Sequence, residues 1–288
     1  MLVTGSRGQV GSELLRQGAR LGWQTIGFDL PELDIAEPAA VSACMADVRP
    51  DAVINAAAYT AVDRAESERQ IAFAVNGSGP GFLAAACAAA AIPLVHYSTD
   101  YVFAGDKKGA YLESDPVAPL GIYGASKLAG EEAVRAHCPQ HLILRTSWVV
   151  SAFGHNFLKT MLRLGSERAE LRVVADQIGK PTAAAELARL TLAALPLAAG
   201  RWGTYHVAQP QAVSWHGFAE AIFAEAHAQG MVLQVERVQA IASADYPTPA
   251  RRPANSELDC RRFEEKFALP IRPWRESLAE IVGELNHV

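Results

Sequence analysis

Cysteine is scarce in this chain. Its four cysteines, Cys44, Cys87, Cys138 and Cys260, stand far apart in 288 residues and show no metal-ligand spacing. That pattern excludes a disulfide scaffold and a zinc module, and reads as buried thiols in a reducing compartment. A basic run is missing too. The net charge is −5 at pH 7, so no nucleic-acid partner is expected. Long apolar runs are also lacking: the most membrane-like stretch, Gly81–Val95, contains Pro93 and is shorter than the ~20 residues that span a bilayer. A buried helix feeding a buried strand accounts for it, and no membrane partner is expected. No basic segment followed by an apolar core and a cleavage site opens the chain, so the expected location is cytoplasmic. Internal repeats and low-complexity linkers are absent as well.

What is present is a regular alternation. Short apolar runs (Leu2–Thr4, Thr25–Phe28, Ala52–Asn55, Leu94–Tyr97, Leu142–Arg145) alternate with amphipathic stretches at Gly11–Leu21, Pro38–Val48, Arg69–Ala91 and Gly124–His137. Strands alternating with helices of this length imply βαβ units. Right-handed crossovers then give an α/β fold with a doubly wound parallel sheet, Rossmann-like. The first strand, with only about three residues before Gly5, is shorter than the usual 5–6. After residue 145 the rhythm changes. Strands are expected at Arg172–Ala175, Gly203–Val207 and Leu233–Val238. Helices are expected at Ala183–Ala198, Trp215–Gln229 (capped by Ser214) and Arg275–Leu285, with a loop at Tyr246–Pro253. The expected division is a dinucleotide-binding domain over 1–145, which also receives about 173–215 and 257–272. The remainder of 146–288 forms a smaller C-terminal substrate-binding cap.

Four motifs carry chemistry. Gly5-Ser6-Arg7-Gly8-Gln9-Val10-Gly11 follows the first strand and opens the first helix, where glycines let a pyrophosphate approach the helix amides. Asp29 ends the second strand and can accept from adenosine ribose hydroxyls, favouring NADH, whereas Arg7 could pair with the 2′-phosphate of NADPH. Tolerance of both is expected. Asn55-Ala56-Ala57-Ala58 closes the third strand with small residues, suited equally to a flat ligand and to close packing. At the end of the fourth strand, in His96-Tyr97-Ser98-Thr99-Asp100, the Thr99 hydroxyl can donate to a carbonyl oxygen, while His96 reads as a core or supporting histidine. Tyr123 and Lys127 lie four residues apart, on one helix face and about 5–6 Å apart at Cβ. A neighbouring cation favours a phenolate, so the pair is expected to tune a proton donor towards neutral pH, as carbonyl reduction requires. Glu66, Glu68, Glu131 and Glu132 read as solvated helix-face carboxylates.

Together these residues resemble the extended short-chain dehydrogenase/reductase superfamily, and the finer pattern resembles its dTDP-4-dehydrorhamnose reductase family. The matching stretches run in order through nearly the whole chain: 55–68 (NAAAYTAVDRAESE), 96–103 (HYSTDYVF), 123–131 (YGASKLAGE), 144–149 (LRTSWV), 156–162 (NFLKTML), 176–182 (DQIGKPT) and 246–256 (YPTPARRPANS). The resemblance implies reduction of the C4 keto group of a dTDP-sugar, dTDP-4-dehydro-β-L-rhamnose, by NADPH or NADH, in the last step of dTDP-L-rhamnose synthesis for glycans such as O-antigen. It implies Tyr123 as proton donor, Lys127 at the nicotinamide ribose, and Thr99 and Asp100 at the sugar. Cofactor contacts carry over to Gly8, Gln9, Val10, Asp29, Asp34, Ile35, Ala58, Tyr59 and Thr60. Substrate contacts carry over to Trp148, Arg252, Asn255 and Ser256.

One departure concerns metal. Some relatives hold magnesium at a dimer contact built from glutamates; Glu13 matches one such position, but Ala185 falls where a second would stand, with Glu186 one step along. A one-residue shift rotates a helical side chain by about 100°, so structural Mg2+ is not expected. The chain is expected to act as a monomer or homodimer. Two other readings stay open: another nucleotide-sugar reductase or epimerase of the same fold, and a non-catalytic NADP-binding regulatory subunit.

Overall fold

The apolar runs of the first half form strands and the stretches between them form helices, in a computed structural model that describes residues 1–286. The strands are β1 (Leu2–Thr4), β2 (Ile26–Phe28), β3 (Val53–Asn55), β4 (Leu94–Thr99) and β5 (His141–Thr146). The helices are α1 (Gln9–Arg20), α2 (Pro38–Val48), α3 (Val62–Ala65), α4 (Arg69–Phe73), α5 (Gly79–Ala89) and α6 (Ile122–His137). A sixth strand, Gly203–His206, returns from the second half to pair with β5. The sheet order is Gly203–His206, β5, β4, β3, β1, β2, with every pair parallel. Strands β1, β3 and β4 are buried throughout, as a sheet covered on both faces requires. Helix α1 packs on the helix Ala184–Ala194, while α5 adjoins both α2 and α6. Strand order reverses between β1 and β3, which opens a crevice at the strands' carboxyl ends.

The helical run before β4 is longer than the apolar window Gly81–Val95. It continues from Arg69 to Ala89 through a π-helical stretch, Ala74–Ser78, and by length and composition alone could cross a membrane. Instead it packs on β3, β4 and α6, burying Leu83, Ala84 and Cys87.

In the second half the helices Phe157–Glu167, Trp215–Ala228 and Trp274–Asn286 share a separate core that includes Leu158, Phe218, Ile222 and Trp274. A parallel pair, Glu170–Val174 with Arg237–Ile241, lies beside them. Ser214 does cap its helix, accepting from the Gly217 amide at 3.0 Å. Two helices were not anticipated, Phe157–Glu167 and Arg261–Phe267. The first is signalled by Asn156, whose side chain accepts from the Lys159 amide at 3.0 Å, and by buried Leu158, Met161, Leu162 and Gly165 at helical spacing. The strand expected at Leu233–Val238 begins later, at Arg237. The Gln234 and Val235 amides are spent on the Gly165 carbonyl, at 2.8 and 3.0 Å, and cannot join a ladder.

Candidate active site

The turn between β1 and α1 is built by close approach. Gly5 sits at φ +68°, where an added Cβ would lie 2.5 Å from the Ala57 amide nitrogen; at Gly11 it would lie 2.1 Å from the Gly5 carbonyl oxygen. Helix α1 then starts with no side-chain cap and no acid in its first turn, leaving its terminal amides to an anionic ligand. Gly8, Gln9 and Val10 line a cleft of about 480 Å³ that continues past Asp29, Asp34, Ile35, Ala58 and Thr60 to Tyr123 and Lys127. Gln9 also ties the glycine turn to the second half, its side-chain oxygen accepting from Ser151 Oγ at 3.1 Å and Asn156 Nδ2 at 2.9 Å. The Asp29 carboxylate accepts from the Arg7 and Leu30 amides, both at 2.9 Å, and the Arg7 guanidinium reaches the Leu30 carbonyl at 2.9 Å and pairs with Glu32. Asp29 and Arg7, the two residues expected to select the ribose, therefore meet at one corner, with Glu32 occupying the arginine.

Further into the cleft, Tyr123 and Lys127 share helix α6 as expected, but their electrostatics differ from the expectation. Lys127, on α6, is 3 % exposed and donates to the Tyr97 carbonyl at 2.6 Å. A buried ammonium needs an acceptor, and the strand carbonyl supplies it. Burial pushes this lysine down to about 8, opposed by the charge of Glu131. Burial pushes the Tyr123 phenol up to about 12, with the Thr99 hydroxyl opposing and the nearby Asp100 carboxylate adding to the rise. The phenol is thus not drawn towards neutral pH. It stays protonated there, which is the state a proton donor needs. Behind it, Thr99 Oγ1 donates to Asp100 Oδ1 at 2.9 Å, whereas Asp100 Oδ2 is buried with no partner among the described residues. Burial raises that carboxyl to about 7, with Ser256 and Thr99 opposing.

A family model described as the RmlD substrate binding domain matches residues 1–287. The chain belongs to this family. It is 46% identical over 294 residues to a dTDP-4-dehydrorhamnose reductase of Burkholderia thailandensis, covering 99% of this chain and 98% of the relative. A crystal structure of a dTDP-4-dehydrorhamnose reductase from Clostridium acetobutylicum superimposes with a TM-score of 0.94 at 38% identity, covering 99% of each chain. Another, from Bacillus anthracis in complex with NADP, gives 0.93 at 37%, covering 98% of each. The Rossmann-like, extended-superfamily fold read from the sequence is the one that this family has.

Other residues singled out from the sequence lie elsewhere. Gly11 packs beneath the glycine turn. Tyr59 directs its hydroxyl to Glu68, and its backbone is clasped by Asn76, which accepts from its amide at 2.8 Å and donates to its carbonyl at 3.0 Å. Trp148 lies flat on Trp215, ring centroids 3.5 Å apart. The Arg252 guanidinium is held in two-point contact by Asp63 at 2.7 and 3.1 Å, while Arg251 beside it is exposed and lines a crevice next to Tyr123. The Asn255 amide donates to the Lys107 and Gly109 carbonyls, both at 2.8 Å, so it braces a loop. Ser256 is buried and bonds Ile178 through its amide at 2.8 Å. Glu13 is buried, with its oxygens taken by Arg16 at 2.7 and 2.8 Å and by Gln17 at 3.1 Å; Arg16 also approaches Glu284 at 3.7 Å. Glu186 likewise is enclosed by Arg189 and Arg272. A guanidinium thus already supplies the positive charge that a metal would bring to Glu13, and these carboxylates do not fit a metal site.

Three of the four carboxylates read as solvated are engaged. Glu131 is fully buried, binding Arg145 at 2.7 and 2.8 Å and Ser98 Oγ at 2.6 Å. Glu66 accepts from the Ile122 amide at 2.8 Å, and Glu68 meets Tyr59 and Arg64. Only Glu132 is simply exposed. Sequence reasoning also missed Thr146, whose buried hydroxyl has no partner among the described residues and which lines the cleft, opposite Thr99 in the strand register. Its place at the carboxyl end of a central strand was the available signal.

Proposed function

We propose that this chain reduces the C4 keto group of dTDP-4-dehydro-β-L-rhamnose to dTDP-β-L-rhamnose with NADPH or NADH, the last step of dTDP-L-rhamnose biosynthesis. One observation carries the reading: in a chain 46% identical to such a reductase, the glycine turn and the Tyr123–Lys127 pair open onto one continuous cleft. The cleft fits a dinucleotide, since uncapped helix amides stand at one end and, at the other, a Thr146 hydroxyl unpartnered among the described residues. Gly8, Gln9 and Val10 would hold the pyrophosphate and Asp29 the adenosine ribose, with Lys127 at the nicotinamide ribose. When bound, the reduced nicotinamide supplies the hydride.

The remaining chemistry belongs to this chain's side chains. As negative charge gathers on the C4 oxygen, Tyr123 donates a hydrogen bond to it and releases its proton, and the Thr99 hydroxyl, whose single proton goes to Asp100 Oδ1 without substrate, turns to donate to the same oxygen. Lys127, one helical turn from Tyr123, contributes its charge at the nicotinamide ribose. Asp100, beside Thr99, orients that hydroxyl and meets the sugar. On the substrate side we assign Trp148 to the sugar face, and Arg252, Asn255 and Ser256 to the loop that shapes the nucleotide end. Residues 1–145, with about 173–215 and 257–272, form the cofactor side, and the rest of 146–288 closes over the sugar. The enzyme works in the cytoplasm as a monomer or homodimer and supplies rhamnose for glycans such as O-antigen. Mixing it with dTDP-4-dehydrorhamnose and NADPH is expected to bleach the nicotinamide absorbance band with formation of dTDP-rhamnose; no oxidation with authentic substrate would overturn the assignment.

A further inference from the structure

Two carboxylates of the turn around α3 reach apart on either side of a small crevice beside Tyr123. Gly121 precedes helix α6 and offers no side-chain cap, yet the first helical amide, Ile122 N, is met by Glu66 Oε1 at 2.8 Å. The next residue is Tyr123. Gly121 is required for this approach, because a Cβ there would lie 2.6 Å from the same oxygen. Three residues before Glu66, Asp63 holds the opposite wall. It accepts from Arg252 at 2.7 and 3.1 Å and from the Ala250 amide at 3.2 Å, anchoring the loop Tyr246–Pro253. Between these two contacts lies a crevice of about 10 Å³ lined by Glu66 itself with Val62, Tyr101, Tyr123, Arg251 and Pro253. Neither carboxylate lines the cofactor cleft.

We propose that Asp63 and Glu66 are paired positioning residues: Glu66 fixes the first turn of α6, and with it the phenol, while Asp63 fixes the substrate loop that faces the phenol across this crevice. This rests on the reductase reading above. The first amides of a helix lack intrahelical partners, so an uncapped first turn frays. A proton donor on such a turn loses its aim, and a displacement of about 1 Å lowers a rate by as much as ~10². A two-point carboxylate–guanidinium contact fixes orientation as well as distance, which suits a wall that must neither collapse nor open.

The variants Glu66→Ala, Glu66→Gln and Asp63→Asn separate the two roles, read by steady-state kinetics and by amide hydrogen exchange. Glu66→Ala is expected to lower kcat roughly fivefold, the scale of one lost helix-terminus bond, and to speed exchange over residues 121–125. The KM for the dTDP-sugar and the Kd for NADPH stay unchanged. Glu66→Gln, which keeps an oxygen acceptor, restores most of the rate. Asp63→Asn is expected to raise the sugar KM by about fivefold at nearly constant kcat and to speed exchange over 246–253. Wild-type kinetics and exchange in Glu66→Ala and Asp63→Asn would overturn the proposal. So would changes that spread to NADPH affinity or to exchange across the whole sheet. A wild-type protein that turns over no dTDP-sugar would sink the reductase reading alone, because the exchange patterns still decide the brace.

Discussion

Replacing Asp100 with asparagine is expected to stabilise the protein increasingly as pH rises. Asp100 is 2 % exposed, Oδ2 has no partner among the described residues, and burial lifts its carboxyl from 3.8 to about 7. At about 1.4 kcal/mol per pKa unit, holding that group charged costs the folded state roughly 4 kcal/mol above neutral pH. The folded protein binds this proton more tightly than the unfolded chain does. Wild-type stability therefore falls as pH rises through the window from 3.8 to about 7, and levels off above it. Asparagine has no such dependence. Its amide nitrogen, placed where Oδ2 stands, carries an unmade hydrogen bond costing about 1–3 kcal/mol, the same at every pH. The difference between variant and wild type is thus expected to widen by about 2 kcal/mol between about pH 5.5 and about pH 8.5. Urea unfolding at those two pH values measures it. A gap that stays constant, or that shrinks as pH rises, would refute the reasoning.

Other perturbations have equally definite outcomes. Glu131→Gln leaves the buried Arg145 without its counter-charge and is expected to lower unfolding free energy by about 3–5 kcal/mol; adding Arg145→Met should recover much of that loss in the same urea titration, and a neutral single variant would refute it. Lys127, pushed down to about 8 by burial, loses its charge as pH rises through that value, so turnover is expected to fall on the same limb; a rate constant to pH ~10 would contradict the role given to the cation. Glu32→Gln frees Arg7 for a 2′-phosphate and is expected to shift the NADPH-to-NADH affinity ratio by at most about fivefold towards NADPH, the scale of an exposed ion pair. Fluorescence titration with each cofactor reads that ratio, and a shift towards NADH would refute the pairing.

What could be read from the chain follows the range of the interactions. Alternating apolar runs and helical stretches, local in sequence, announced the parallel sheet, and the glycine turn announced the cofactor end of the cleft. Tyr123 and Lys127 were legible as a pair because four residues make one helical turn. What the lysine actually faces was not, since its acceptor is the Tyr97 backbone carbonyl and a backbone atom has no sequence signature. Glu131 looked solvated because its main partner, Arg145, lies across the sheet on β5. Asp63 and Arg252 both fell within recognisable motifs, yet only the fold brings them together. The helix Phe157–Glu167 was overlooked although Asn156 and the apolar spacing after it carried the signal.

The central claim, that the Tyr123 phenol delivers the proton to a reduced ketone, is tested most directly by Tyr123→Phe. With dTDP-4-dehydrorhamnose and NADPH in single-turnover mixing, nicotinamide oxidation is expected to slow by about 10²–10⁴, with NADPH affinity and fold unchanged. A variant that oxidises NADPH at the wild-type rate would contradict the account.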